Sequence, residues 1–162
     1  MKICSAEAMK IIKELEEEKN LIIAIEDRRS TVSYKEGETK TIPDYDYKET
    51  RKSICDLDDK IRALKFKVAK SNCETTLTGG FDCSVSEGLV LLAQLRSRLE
   101  QAEELADRQQ ITRRITSNGV LEFTECLYNV IEVENDVKDL NRQIGKLQIA
   151  IDRANLTNEI EV

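Results

Sequence analysis

Hydrophobic residues recur along this chain at steps of three and four, and they keep to that spacing long enough to predict four long helices. In the first, Ala8, Ile12, Leu15, Ile22 and Ile25 follow it, with Lys19 at the one polar gap. A helix of about 25 residues is roughly 37 Å long, so it requires a partner of similar length. Ser5 is placed to cap it, with Glu7 near its positive end. The second helix carries Tyr47, Thr50, Ile54, Leu57, Ile61, Leu64 and Val68, the a/d pattern of a coiled-coil seam. Ser84 and Glu87 form a capping box ahead of the third, which uses Leu92, Leu95, Leu99, Ala102 and Ala106. The last runs through Val130, Val133, Val137, Leu140, Ile144, Leu147, Ile151 and Ala154, with Thr124 as its expected cap. The expected helices cover 5–29, 45–71, 85–108 and 125–155.

The breaks between these runs have their own chemistry. Residues 31–43 alternate around Lys35-Glu36-Gly37-Glu38, which predicts a short β-hairpin or extended tip closed by Pro43, with Asp44 starting the next helix. Gly79-Gly80 reads as a hinge. A second tip over 110–123 contains Asn118-Gly119 between apolar runs, a strong hairpin signal. Short tips join antiparallel neighbours. The expected fold is therefore all-α: one domain of long, antiparallel, coiled-coil-like helices, arranged as two helical hairpins with β-like tips. Narrow seams bury little surface per helix, so the chain is expected to form a homo-oligomer.

Composition sharpens this picture. Aromatic residues make up only 4% and charged residues 35%, so aliphatic stripes rather than rings must fill the core. A net charge of −6 argues against nucleic acid or an anionic membrane as partner. No apolar run approaches the ~18 residues needed to span a bilayer, and the amino-terminal stretch lacks a signal-peptide core. A cytoplasmic protein is expected. The five cysteines (Cys4, Cys55, Cys73, Cys83 and Cys126) form no CxxC motif and read as reduced thiols. Cys73 and Cys83 flank one loop, and the expected compartment argues against a disulfide there.

Candidate chemistry is sparse. The chain has no histidine and no closely spaced cysteines, so no metal site and no cofactor is expected. Cys83 and Cys126 lie near predicted helix starts but lack a base, and read as small hydrophobes. Thr78-Gly79-Gly80-Phe81 matches no phosphate loop. The cations between Lys60 and Lys70 ring their helix instead of lining one face. The glutamates at 14 and 16–18 have the wrong sign for a membrane-surface helix. What remains is Arg108, Arg113 and Arg114 near Asn118. Brought together at assembled tips, these residues would suit a small anionic or nucleotide-like ligand, since arginine matches phosphate and carboxylate bidentately. The competing reading pairs them with Glu122, Glu159 or Glu161. No acid/base or nucleophile constellation emerges, so a non-enzymatic, self-associating structural or interaction protein is expected ahead of an anion binder.

Several stretches together resemble the septicolysin-like family of small bacterial helical proteins. They are the opening MKICSAEAMKIIKELEEEKNLI, Glu36-Gly37-Glu38 with Pro43, and Lys70-Ser71-Asn72 with Thr75-Thr76-Leu77. The closing Ile151-Asp152-Arg153-Ala154-Asn155-Leu156-Thr157-Asn158-Glu159 is similar to the family's most recognisable signature, departing from it at Leu156, where the family usually has tryptophan. The resemblance implies a helical, oligomer-prone protein. The family name implies cytolysis, for which the chain offers no membrane-inserting segment.

Overall fold

In a computed structural model, which describes residues 2–161, the chain is predominantly helical with a few short strands. In chain order these are β1 (Lys2–Cys4), α1 (Ser5–Arg29), α2 (Tyr47–Glu74), α3 (Val85–Ala106), β2 (Ile111–Ile115), β3 (Leu121–Glu125), α4 (Val130–Thr157) and β4 (Glu159–Glu161). The chain divides into two compact units, Met1–Asn72 with Asn155–Val162, and Cys73–Ala154.

In the first unit α1 packs on α2. Ala8 and Ile12 join Ile61, Leu64 and Val68 in one aliphatic cluster. Along its flanks Glu16 pairs with Lys65 at 2.6 Å, Lys19 with Asp58 at 2.6 Å, and Glu26 with Arg51. Partners that come later in α1 come earlier in α2, so the helices are antiparallel. Lys19, the polar gap in the seam, thus places its ammonium at the helix–helix border. The expected seam position Ile25 is exposed. Glu26 sits at the border instead, accepting a 2.7 Å hydrogen bond from the Tyr45 hydroxyl as well as the ion pair from Arg51.

The cluster is closed by a sheet that periodicity did not reveal. β1 and β4 pair antiparallel, with Ile3 opposite Ile160, and both side chains are buried in the α1–α2 core. The Ser5 amide donates to the Asn158 carbonyl at 3.2 Å, and the Asn158 side chain donates to Ser71 Oγ. This sheet also moves the helix cap. Cys4, extended at the end of β1, is the N-cap, its Sγ accepting from the Glu7 amide at 3.4 Å. The Glu7 carboxylate in turn accepts from the Cys4 amide at 2.9 Å. Ser5, the expected cap, is buried.

In the second unit Leu92 and Leu95 of α3 gather with Leu147, Ala150, Ile151 and Ala154 of α4. All eight expected seam positions of α4 are buried or half-buried. Gly79 and Gly80, both at positive φ, turn a loop whose sides are joined by Leu77 N–H to the Cys83 carbonyl and Val85 N–H to the Thr75 carbonyl, each 2.9 Å. Rather than serving only as a hinge, this loop inserts Leu77 into the core beside Gly88. Cys73 and Cys83 are not joined.

Three further expectations need correction. Of the two forms expected for residues 31–43, the β-hairpin is absent; an unladdered tip remains, with the expected turn at Gly37 holding Glu38 N–H to the Lys35 carbonyl at 3.1 Å, and the segment is too exposed to anchor a ladder. The second helix is capped by Asp46, not Asp44, its carboxylate accepting from the Glu49 amide at 2.9 Å. The fourth begins at Val130, not near 125, because β3 uses residues through Glu125; Asn129 replaces Thr124 as the cap, accepting from the Ile131 amide at 3.0 Å.

Two predictions follow from this packing and capping. A Cβ on Gly88 would run into the buried Leu77 side chain. Gly88→Ala should therefore destabilise by about 1–3 kcal/mol through overpacking, measured by urea unfolding. Glu87 accepts from both the amide and hydroxyl of Ser84 at 2.8 Å, and the backbone bond, followed by the hydroxyl bond, lowers its pKa below the usual 4.5. A depressed carboxylate contributes stability above the unfolded-state pKa and loses it as pH falls through the folded value. Thermal melts of Glu87→Gln should accordingly show a shallower loss below about pH 4.5 than the unsubstituted chain.

Candidate functional site

The second tip is a true β-hairpin, and its register decides what its side chains can do together. Ile111 lies opposite Glu125, Arg113 opposite Phe123 and Ile115 opposite Leu121, while Thr112 faces Thr124 and Arg114 faces Glu122. Gly119, at φ +76°, donates to the Thr116 carbonyl at 2.9 Å, and Thr116 N–H donates to the Val120 carbonyl at 2.9 Å. No other turn residue has positive φ. The loop is thus a type I turn followed by a glycine bulge, not the mirror-image turn that Asn-Gly usually signals.

Side chains alternate across a ribbon, so Ile111, Arg113, Ile115, Leu121, Phe123 and Glu125 share one face. Thr112, Arg114, Glu122 and Thr124 take the other. Every residue of both strands is exposed, Ile115 at 74% and Phe123 at 62%. On the polar face Arg114 pairs with Glu122 at 2.6 Å. On the apolar face Arg113 and Glu125 have no ion-pair partner among the described residues.

The arginines and asparagine singled out in the sequence are therefore dispersed within one chain. Arg113 and Arg114 point to opposite faces, and Asn118 lies in the turn. Arg108, past the end of α3, lines a shallow groove of about 450 Å³ with Gln109, Thr112, Cys126 and Tyr128, and Thr124, Glu125 and Leu127 border it as well. Partial burial, followed by a hydrogen bond and the charge of Cys126, raises the Tyr128 phenol above its ordinary pKa, with Arg108 opposing. The phenol donates to the Leu105 carbonyl at 3.0 Å, and the Cys126 thiol donates to the Gln109 carbonyl at 3.3 Å. Both groups are thus tied to backbone. Among the described residues no cluster of three or more Cys, Asp or Glu is arranged to hold a metal ion.

Two features escaped the sequence reading. One is the apolar hairpin face, foreshadowed by the period-two alternation of Ile111, Arg113, Ile115 and of Leu121, Phe123, Glu125. The other is Gln110. Its amide donates to the Cys126 and Tyr128 carbonyls at 3.0 and 2.9 Å, while its Oε1 accepts from Val130 N–H at 3.1 Å. That side chain ties the end of the hairpin to the start of α4, and no local pattern announces it.

No protein-family model matches the chain, and no curated protein matches it. Among solved structures it is similar to a functionally unknown conserved protein from Corynebacterium diphtheriae, with a TM-score of 0.71 at 17% identity. That similarity covers 99% of this chain and 100% of the other, and it establishes a shared fold.

Gln110→Ala removes three hydrogen bonds from the connection between the hairpin and α4 and leaves those of Cys126 to Gln109 and Gln110 and of Tyr128 to Leu105. It should lower stability by about 1–3 kcal/mol and speed amide exchange at residues 126–130, measured by mass spectrometry, leaving the α3–α4 core unaffected.

Proposed function

We propose that this protein is a non-enzymatic, self-associating helical structural or interaction protein, its paired helices packed in coiled-coil fashion, working in the cytoplasm. The observation that carries this reading is the β2–β3 hairpin. An isolated two-stranded ribbon is marginal in water and needs further strands or a packed surface for stability. This one is bare on both faces and displays Ile111, Ile115, Leu121 and Phe123.

Seam burial supports the coiled-coil part of the reading. Ile54, Leu57, Ile61, Leu64 and Val68 are the buried residues of α2, all of them a/d positions. Membership of the septicolysin-like family belongs to the same proposal. Its basis is the sequence resemblance at the opening helix, the mid-chain loop and the closing 151–159 stretch. The anion-binding alternative has weaker support, because Arg113 and Arg114 do not converge within a chain.

Size-exclusion chromatography with light scattering tests the reading directly. At micromolar concentration the mass should be a multiple of 18.5 kDa; a strict monomer would remove the basis for self-association.

A further inference from the structure

We infer that the apolar face of the β2–β3 hairpin is covered by the same face of a second copy of this chain, Arg113 of each copy pairing with Glu125 of the other. This rests on the self-association proposed above and assigns it a surface.

The charges on the hairpin argue for a second copy over other occupants. Two ion-pairing possibilities exist on this ribbon, one on each face. On the polar face the pair closes within the chain, Arg114 to Glu122. On the apolar face it does not: Arg113 stands opposite Phe123, and Glu125 lies one pair further along, opposite Ile111. One unpaired cation and one unpaired anion, set among four exposed apolar side chains, make a face that is neutral and complementary to itself. A two-fold axis brings residue i of one copy to residue j of the other and j to i. It therefore satisfies both charges at once, with no third group required.

The area is also of the right size. Ile111, Ile115, Leu121 and Phe123 together expose on the order of 500 Å², in the upper part of the roughly 300–600 Å² that a monomer's largest, often functional, apolar patch reaches. A standard interface takes roughly 800 Å² from each partner, so the stems of Arg113 and Glu125 and the surface around them must contribute as well.

A lipid surface fits less well. The chain carries a net charge of −6, and the face presents Glu125 as well as Arg113, so it gains nothing from anionic headgroups. An unrelated protein strand added to a hairpin edge would take up backbone groups but leave the Arg113 and Glu125 charges unanswered.

A charge-swap series on the full chain, followed by sedimentation velocity and light scattering, tests the inference. Arg113→Glu and Glu125→Arg should each weaken dimerisation at least about tenfold by placing like charges together, and the double variant should recover it. Circular dichroism checks the fold of each variant. If a single swap unfolds the chain, Arg113→Gln, which removes only the charge, replaces it and should also weaken association. An unsubstituted chain that is monomeric throughout overturns the self-association reading and this inference with it. A chain that associates equally well in all variants keeps that reading and overturns the assigned surface. Co-sedimentation of the unsubstituted chain with phosphatidylcholine–phosphatidylglycerol vesicles, lost in Phe123→Ser, would assign the face to lipid and also overturn the inference.

Discussion

Ala8 and Ile12 gathered with Ile61, Leu64 and Val68, and Leu92 and Leu95 with Leu147 and Ile151, keep water from a stripe only one or two side chains wide on each helix. Each fully buried aliphatic contributes roughly 1.5–3 kcal/mol. The ion pairs beside the seams are half-buried and still reached by solvent, and solvated pairs are worth about 0–1 kcal/mol each. The seams therefore decide whether the helices pair, while Lys19–Asp58 and Glu16–Lys65 help to set register. A core this thin leaves little room for anything but methyl groups: among the described residues Ser5 is the one buried polar residue.

Narrow seams also make the ends of the helices important, because a terminal turn has few core neighbours to hold it. The first unit closes its end with the β1–β4 pairing, which brings residues more than 150 positions apart into register and buries Ile3 and Ile160. The second uses the Leu77 loop at one end of α3, and at the other the Gln110 side chain, which fastens the hairpin to α4. In both units a reciprocal capping box, Cys4 with Glu7 and Ser84 with Glu87, satisfies the first free amides of a helix.

These differences in scale explain what could be read from the residues. Helices of 22 to 28 residues repeat their signal over many turns, so the seams of α2 and α4 were visible in the spacing of their aliphatics. The β2–β3 hairpin was visible from Asn118-Gly119, although the turn took a different type. β1 and β4, three residues each, offer one apolar side chain apiece and pair only through tertiary structure, so no local pattern could reveal them. The first tip forms no ladder for the opposite reason: its alternation is real, but nearly all its residues are exposed, so neither side of it is buried. At the candidate site the arginines were noticed for their charge, whereas strand alternation decides which of them share a face. That puts Arg113 among Ile111, Ile115, Leu121 and Phe123, and Arg114 beside Glu122.

Thin seams within each helix pair, beside a hairpin exposed on both faces, make the chain's stability two-tiered. Amide hydrogen exchange measured by mass spectrometry across a wide range of protein concentration separates the tiers. The seam helices, residues 54–68 and 144–154 above all, should exchange slowly at every concentration, while residues 111–125 become protected only as concentration rises. Protection of the hairpin that does not change with concentration would contradict this.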